Sequence, residues 1–237
     1  MKQSLVTVAS VLMTETNAKI GFGGCGDITV KQDFDWTKAD GLWYETYVDW
    51  GNSLEWFWDC TTEAYYKSDF SDNIYRISTP YRYSYWGIST PFYFGWASNG
   101  QLYCGDDGNC RVSMLPWGQV EPENGPNFYI TDTDYDNFII VFSCVDGIIA
   151  NMQNLWIMTR TPDPSEEVLK KIEESMANSS ISNWSLTSGI FGDLKKTYHG
   201  DDCVYEKWNG NQLIEGVNEN EWLPFGSLQK ETFDERN

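Results

Sequence analysis

The 237-residue chain holds a single histidine, His199, and that scarcity removes several common sites. A Ser/His/Asp set has one imidazole to draw on, and zinc sites built from His and Cys need more. None of the six cysteines forms a Cys-x-x-Cys. Basic residues are few: 16 Lys and Arg stand against 35 Asp and Glu, a formal charge of −19. Phosphate backbones are held by clustered Lys and Arg, so this balance argues against nucleic acid and disfavours anionic lipid. No stretch is long and apolar enough to span a bilayer as a helix. No long polar tract marks the chain as disordered.

What is present points to a large all-β domain. The sequence carries 12 Trp, 14 Tyr and 12 Phe, rings that favour strands and fill wide interiors. All-β barrels often occupy this length as one domain. The acidic excess reads first as a solubility device, and it leaves a cationic ligand or partner open.

The first residues read as an export leader. Lys2 is the positive start, Leu5 to Met13 a short apolar run, and Thr16-Asn17-Ala18 the small residues before a cut after Ala18. A lipoprotein site at Cys25 is a poor fit, because Phe22-Gly23-Gly24 precedes it. In an exported chain six cysteines imply three disulfides, with the connectivity open. Asn178 and Asn183 begin sequons and are glycosylation candidates.

Gly21 to Asp35 reads as an irregular arm. Eight strands are then expected: Leu42–Trp50, Trp56–Lys67, Ile74–Thr79, Phe92–Ala97, Arg111–Trp117, Asn127–Asp132, Phe138–Cys144 and Asn154–Thr161. Gly51-Asn52-Ser53 separates the first two, Asn99-Gly100 turns the chain, and Pro122 to Pro126 is a loop. Closing eight strands leaves room for one small ligand and removes exposed sheet edges. A helix should follow, with Asp163 as N-cap and Pro164 at its first position. Val168, Leu169, Ile172 and Met176 give it one apolar face. Cys203–Trp208 reads as a short strand. The expected organisation is a leader over 1–18, a barrel domain with its helix over 19–208, and an acidic tail over 209–237.

Three stretches carry a resemblance. The first is Phe34-Asp35-Trp36-Thr37-Lys38-Ala39-Asp40-Gly41-Leu42-Trp43-Tyr44-Glu45. The second is Tyr129-Ile130 with Thr133-Asp134-Tyr135-Asp136-Asn137-Phe138, running into Val141-Phe142-Ser143-Cys144. The third is Leu155-Trp156-Ile157-Met158-Thr159-Arg160-Thr161-Pro162. In this order, with a helix after them, they resemble the signature regions of the lipocalins, in the apolipoprotein D-like branch. A lone Gly-x-Trp would carry little in so Trp-rich a chain.

The resemblance implies an eight-stranded up-and-down antiparallel barrel with a C-terminal helix packed outside. Gly41, Trp43, Thr133, Asp134, Tyr135 and Arg160 would close one end, with the Arg160 guanidinium stacked on the Trp43 indole. These are structural residues and not catalytic ones. It also implies Cys25–Cys144 and Cys60–Cys203, each closing a loop worth about 3–5 kcal/mol. Cys104 and Cys110 remain and could staple their own short loop.

Inward alternation from Trp43 would place Glu45 and Tyr47 in the chamber, and from Arg160 it would place Met158 and Trp156 there. The family pattern adds Tyr65 and again Trp156; Ile139 and Val141 follow if Cys144 faces out. The implied function is extracellular binding, transport or sequestration of a small hydrophobic ligand: a lipid, sterol, retinoid, carotenoid or bilin. No cofactor or metal is called for, and a protein partner or a homo-oligomer stays open. Competing readings are an isomerase or de-epoxidase on the same fold, with Cys60 as the nearest thiol, and a surface or matrix interaction protein. A haem carrier would need His199 as axial ligand, whereas that residue reads as a surface histidine.

Overall fold

The computed structural model describes residues 19–49, 55, 58–67, 74–85, 88–89, 95–113, 121–184, 186, 194–201, 203, 205, 207–208 and 213–214. The expected leader, the Gly51-Asn52-Ser53 turn, the end of the Arg111–Trp117 strand and most of the tail lie outside these residues. Strands in chain order begin with β1 (Lys19–Phe22), β2 (Gly41–Asp49), β3 (Trp58–Asp59), β4 (Thr62–Lys67) and β5 (Ile74–Tyr85). Next come β6 (Ile88–Ser89), β7 (Gly95–Cys104), β8 (Asn109–Ser113), β9 (Phe128–Thr133), β10 (Phe138–Asp146) and β11 (Ala150–Thr159). Last are β12 (Leu194–Lys196), β13 (Lys207–Trp208) and β14 (Leu213–Ile214). Two helices, α1 (Trp36–Ala39) and α2 (Glu166–Ala177), flank the main run.

Antiparallel pairing runs β2–β4–β5–β7–β8–β9–β10–β11, and β11 pairs back with β2. Eight strands therefore close into a barrel, as expected. Closure gives each of these eight strands two neighbours over at least part of its length.

Several boundaries differ from the expectation. The Trp56–Lys67 strand breaks at Cys60, whose φ of 55° lies outside extended geometry. Asn99-Gly100 is no turn; it lies inside β7, facing Ser78 and Ile77 of β5. The proline of Ile77-Ser78-Thr79-Pro80 does not end β5, which continues with Pro80 opposite Ala97. The arm is not irregular throughout, since β1 adds to β11. Pro122–Asn124 forms one 3-10 turn within the expected loop. The expected Cys203–Trp208 strand is reduced to Lys207–Trp208, paired with Leu213–Ile214.

Two bulges bend the barrel. Thr46 is the extra residue between β2 and β11, and Thr131 the extra residue between β9 and β10. Each is a buried threonine whose hydroxyl donates to a carbonyl of the facing strand, Ile157 O at 3.0 Å and Ile140 O at 3.3 Å. The hydroxyl thus serves an acceptor at the place where the regular ladder is interrupted.

The core has two layers. The inner one gathers Phe34, Trp36, Trp43, Tyr65, Ile77, Leu102, Ile130, Ile139, Val141 and Met158. The outer one sets Ile140, Phe142, Leu155 and Ile157 of the barrel wall under Ile172 and Met176 of α2. That helix starts later than expected: Ser165 is its N-cap and accepts from Val168 N, so Asp163 and Pro164 precede it. Glu166 and Glu167 in its first turn suit the positive helix start. No described helix is long and apolar enough to cross a membrane.

Three disulfides join Cys25 to Cys144, Cys60 to Cys203 and Cys104 to Cys110. The arm is also tied by backbone bonds, Lys31 N to Ile130 O and Gly108 N to Lys31 O, each 2.8 Å. Gly108 is required there, because a Cβ would run into the Ile130 carbonyl.

Candidate ligand chamber inside the barrel

One end of the barrel is built by the sequence around Trp36. Asp35 caps α1 by accepting from Thr37 N at 3.0 Å, and this single turn carries Trp36 and Ala39 into the interior. Gly41 follows at φ 101°, a conformation barred to side chains with a Cβ, and turns the chain into β2. Trp43 is fully buried, with its indole N–H donated to Ala39 O at 2.8 Å. The Arg160 guanidinium lies 3.6 Å from the Trp43 ring centroid. It also donates to the carbonyls of Tyr135, Leu42, Lys38 and Asp40 at 3.0–3.2 Å. Burial pulls the Arg160 pKa down to about 10, with Asp40 and Asp136 opposing, so it stays charged at neutral pH. In the turn beside it Asp134 accepts from Asn137 N and Phe138 N, and Thr133 Oγ1 from Tyr135 N. All six expected closure residues thus meet at one end, as a tethered plug.

Above this plug the inner wall is aromatic and aliphatic. Register sets Ile139 opposite Met158 and Val141 opposite Trp156, and all four join the inner layer. Tyr65 is fully buried, with Trp36 edge-on to it at 5.4 Å between ring centroids. Trp156 donates its indole N–H to Glu55 Oε2 at 2.7 Å.

Tyr47 is not part of this wall. It packs in the outer layer with Ile157 and Ile172. The cause is the bulge: Thr46 adds one residue between Glu45 and Tyr47, so the alternation that starts at Trp43 flips. Glu45 lies before the bulge and stays on the Trp43 face.

Sequence reasoning missed three polar side chains near it. Glu63 stands opposite Trp43 and two residues before Tyr65, so its parity was readable from either. Thr197 donates its hydroxyl to Glu45 Oε1 at 2.8 Å, and Lys195 donates to Trp58 O at 3.0 Å. Both arrive on the run 194–199, which nothing local marks as a barrel element. Tyr65 donates its hydroxyl to Glu63 Oε2 at 2.7 Å. Burial raises Glu45 to about 7 and Glu63 to about 8, while the Thr197 and Tyr65 hydrogen bonds pull the other way. Burial lowers Lys195.

His199 is not a surface histidine. Its Nε2 lies 2.7 Å from Glu45 O and its Nδ1 2.8 Å from the Tyr205 hydroxyl. A carbonyl only accepts, so Nε2 carries the proton and Nδ1 takes the Tyr205 hydroxyl hydrogen. Burial lowers its pKa. Both ring nitrogens are therefore engaged, which leaves neither for an axial bond. Asn178 and Asn183 are both exposed, Asn178 at the end of α2.

The lipocalin / cytosolic fatty-acid binding protein family model matches residues 119–188. The Lazarillo protein of Schistocerca americana is 32% identical over 177 residues, covering 73% of this chain and 77% of that protein. The bilin-binding protein of Pieris brassicae is 22% identical over 198 residues, 83% of this chain and 93% of that one. Among solved structures, insecticyanin from the tobacco hornworm Manduca sexta is similar with a TM-score of 0.60 at 15% identity. That match covers 78% of this chain and 90% of the insecticyanin chain.

Proposed function

The chain belongs to the lipocalin family, and from that membership we propose that it binds and carries a small hydrophobic molecule inside its barrel. One observation carries the reading: a closed eight-stranded wall whose inner face joins rings and aliphatic groups to a few converging polar ones. Pockets for small apolar ligands have this make-up. Tyr65, Trp156, Met158, Ile139 and Val141 form the apolar contact surface, and Glu45 a polar one. A bilin-binding relative supports a ligand of this size and polarity.

We assign the chain to the apolipoprotein D-like branch and to the extracellular space. The three disulfides and the leader-like first 18 residues support export. The working domain is 19–208, followed by an acidic tail over 209–237, with Asn178 and Asn183 as sugar acceptors. We read it as a binding protein and not an enzyme. The thiol route would need a free cysteine, and Cys60 is bonded to Cys203.

The test is titration of the full-length, disulfide-bonded chain with retinol, biliverdin and oleate, followed by Trp fluorescence. Saturable quenching by at least one probe is expected, and it should be lost when Met158→Trp fills the chamber without altering the circular dichroism spectrum. Unchanged binding in that variant, or no binding of any probe, refutes the reading.

A further inference from the structure

Two carboxyls share the inner face of β2 and β4, and the barrel closes without needing either. Glu63 faces Trp43 in the ladder; Glu45 is the next inward position of β2, its amide bonded to Thr61 O at 3.1 Å. Continuing that register sets Thr61 beside Glu45, on the same face as both acids. Glu45 is 2% exposed, Glu63 5% and Thr61 0%. Among the described residues the Tyr65 hydroxyl is the hydrogen-bond partner of Glu63. One phenol serves a carboxyl that can accept about four bonds. The Thr61 hydroxyl, wholly buried beside the acids, has no hydrogen-bond partner among the described residues. Orphaned buried polar groups of this kind call for a missing partner.

The charges facing the pair are uneven. Lys195 of β12 acts on Glu45, but it is shared with Asp59 and Glu55. Asp49, on β2 itself, opposes Glu45. The charged neighbour that acts on Glu63 is Glu45, another acid. Among the described residues acidic groups therefore outnumber the ammonium of Lys195, and Glu63 is the carboxyl with no cation acting on it.

Resting on the carrier reading, we propose that the chamber selects a hydrophobic molecule bearing a basic nitrogen, with its ammonium seated between Glu63, Glu45 and Thr61. The ammonium N–H groups supply what these oxygens lack. The apolar body lies along Met158, Ile139 and Val141. An isolated buried carboxylate is costly, so Glu63 stays protonated until the cation enters. Binding then moves one proton from the Glu63 carboxyl to solvent and leaves an ion pair. A fatty carboxylate would bring a second negative charge to the same place.

The sign of the pH dependence follows. The free carboxyl holds its proton up to about pH 8. The bound one does not, so amine affinity rises with pH toward 8, at most about tenfold per unit. Carboxylate affinity falls over the same range.

Isothermal titration of the full chain with dodecylamine, dodecanol and dodecanoate tests this at pH 6, 7 and 8. At pH 8 dodecylamine should bind at least about tenfold more tightly than dodecanol, and the preference should shrink toward pH 6. Glu63→Gln should abolish the preference, with dodecylamine losing at least about tenfold in affinity at pH 8. Should that variant fail to fold, proton release by the unmodified chain decides. Titrations in buffers of different ionisation enthalpy should show about one proton released per dodecylamine at pH 7 and about none per dodecanol. Equal release, dodecanoate binding as tightly as the amine, or a preference that survives Glu63→Gln overturns the inference and leaves the carrier reading standing. Failure of all three probes to bind takes the carrier reading with it.

Discussion

Arg160→Met isolates how much the plugged end contributes to the barrel. In the native protein one guanidinium donates to four backbone carbonyls and lies 3.6 Å from the Trp43 ring centroid. A hydrogen bond from a charged donor contributes about 1.5–3 kcal/mol, and a desolvated cation–π contact about 2. These do not add, because they share one side chain, and the Lys38 carbonyl is open enough to recover water. Burial of the guanidinium, which pulls its pKa to about 10, is a cost that the methionine escapes. The expected net loss is therefore about 3–5 kcal/mol, nearer to one good contact and two good bonds than to the full set. For a domain of this size that corresponds to a fall in Tm of about 6–20 °C. Urea unfolding followed by Trp fluorescence measures the loss directly. Arg160→Lys keeps the charge and loses the fork, so it should fall between the two. A loss under about 1 kcal/mol for methionine, or a lysine variant equal to the native chain, would refute a structural role for this contact.

Three further outcomes are expected. Tyr47→Ala removes an outer-layer ring and should cost about 2–4 kcal/mol in chemical unfolding, yet leave probe affinity within about twofold; a larger loss of affinity would return Tyr47 to the chamber. Replacing Cys60 and Cys203 together by alanine opens a loop with 143 residues of separation. It should cost about 3–5 kcal/mol, and equal stability of the variant would count against the pairing. Glu63, raised by burial to about 8, stabilises the fold fully below its unfolded pKa near 4.5 and loses that contribution as pH rises through about 8. Glu63→Gln should therefore flatten the fall of Tm between pH 5 and 9, and parallel curves for the two chains would sink this assignment.

The sequence made some of these parts legible and hid others for definite reasons. Trp43, Arg160 and the Thr133-Asp134-Tyr135 turn were readable because each lies in a short motif that carries the family resemblance. Cys25–Cys144 and Cys60–Cys203 could be matched through the family resemblance, and Cys104 and Cys110 were the two that remained. The chamber was less open to reading, since alternation works only while a strand stays regular. One inserted threonine was enough to send Tyr47 outward, and Thr46 has no sequence mark beyond being β-branched. Asn99-Gly100 failed in the opposite way. The dipeptide favours a turn, but the long β5–β7 ladder draws it into a strand, and tertiary pairing overrides the local preference.

The polar end of the chamber shows why distance along the chain matters more than motif. β12 pairs with β2 at Asp49, Val48 and Tyr47, beyond the stretch of β2 that pairs with β4. The run continues with Thr197 N bonded to Thr46 O, and Tyr198 O accepts from Cys60 N. It thus fills the gap that opens where the chain kinks at Cys60, and it brings Lys195 and Thr197 to Glu45. The Cys60–Cys203 bond and the His199 bond to Glu45 O also hold the run there. Carrying the chemistry of the pocket on a returning segment lets its charge change while the barrel motifs stay fixed. Exchanging Lys195 for methionine should accordingly alter which head groups bind, with little effect on the Trp43 and Arg160 plug at the other end.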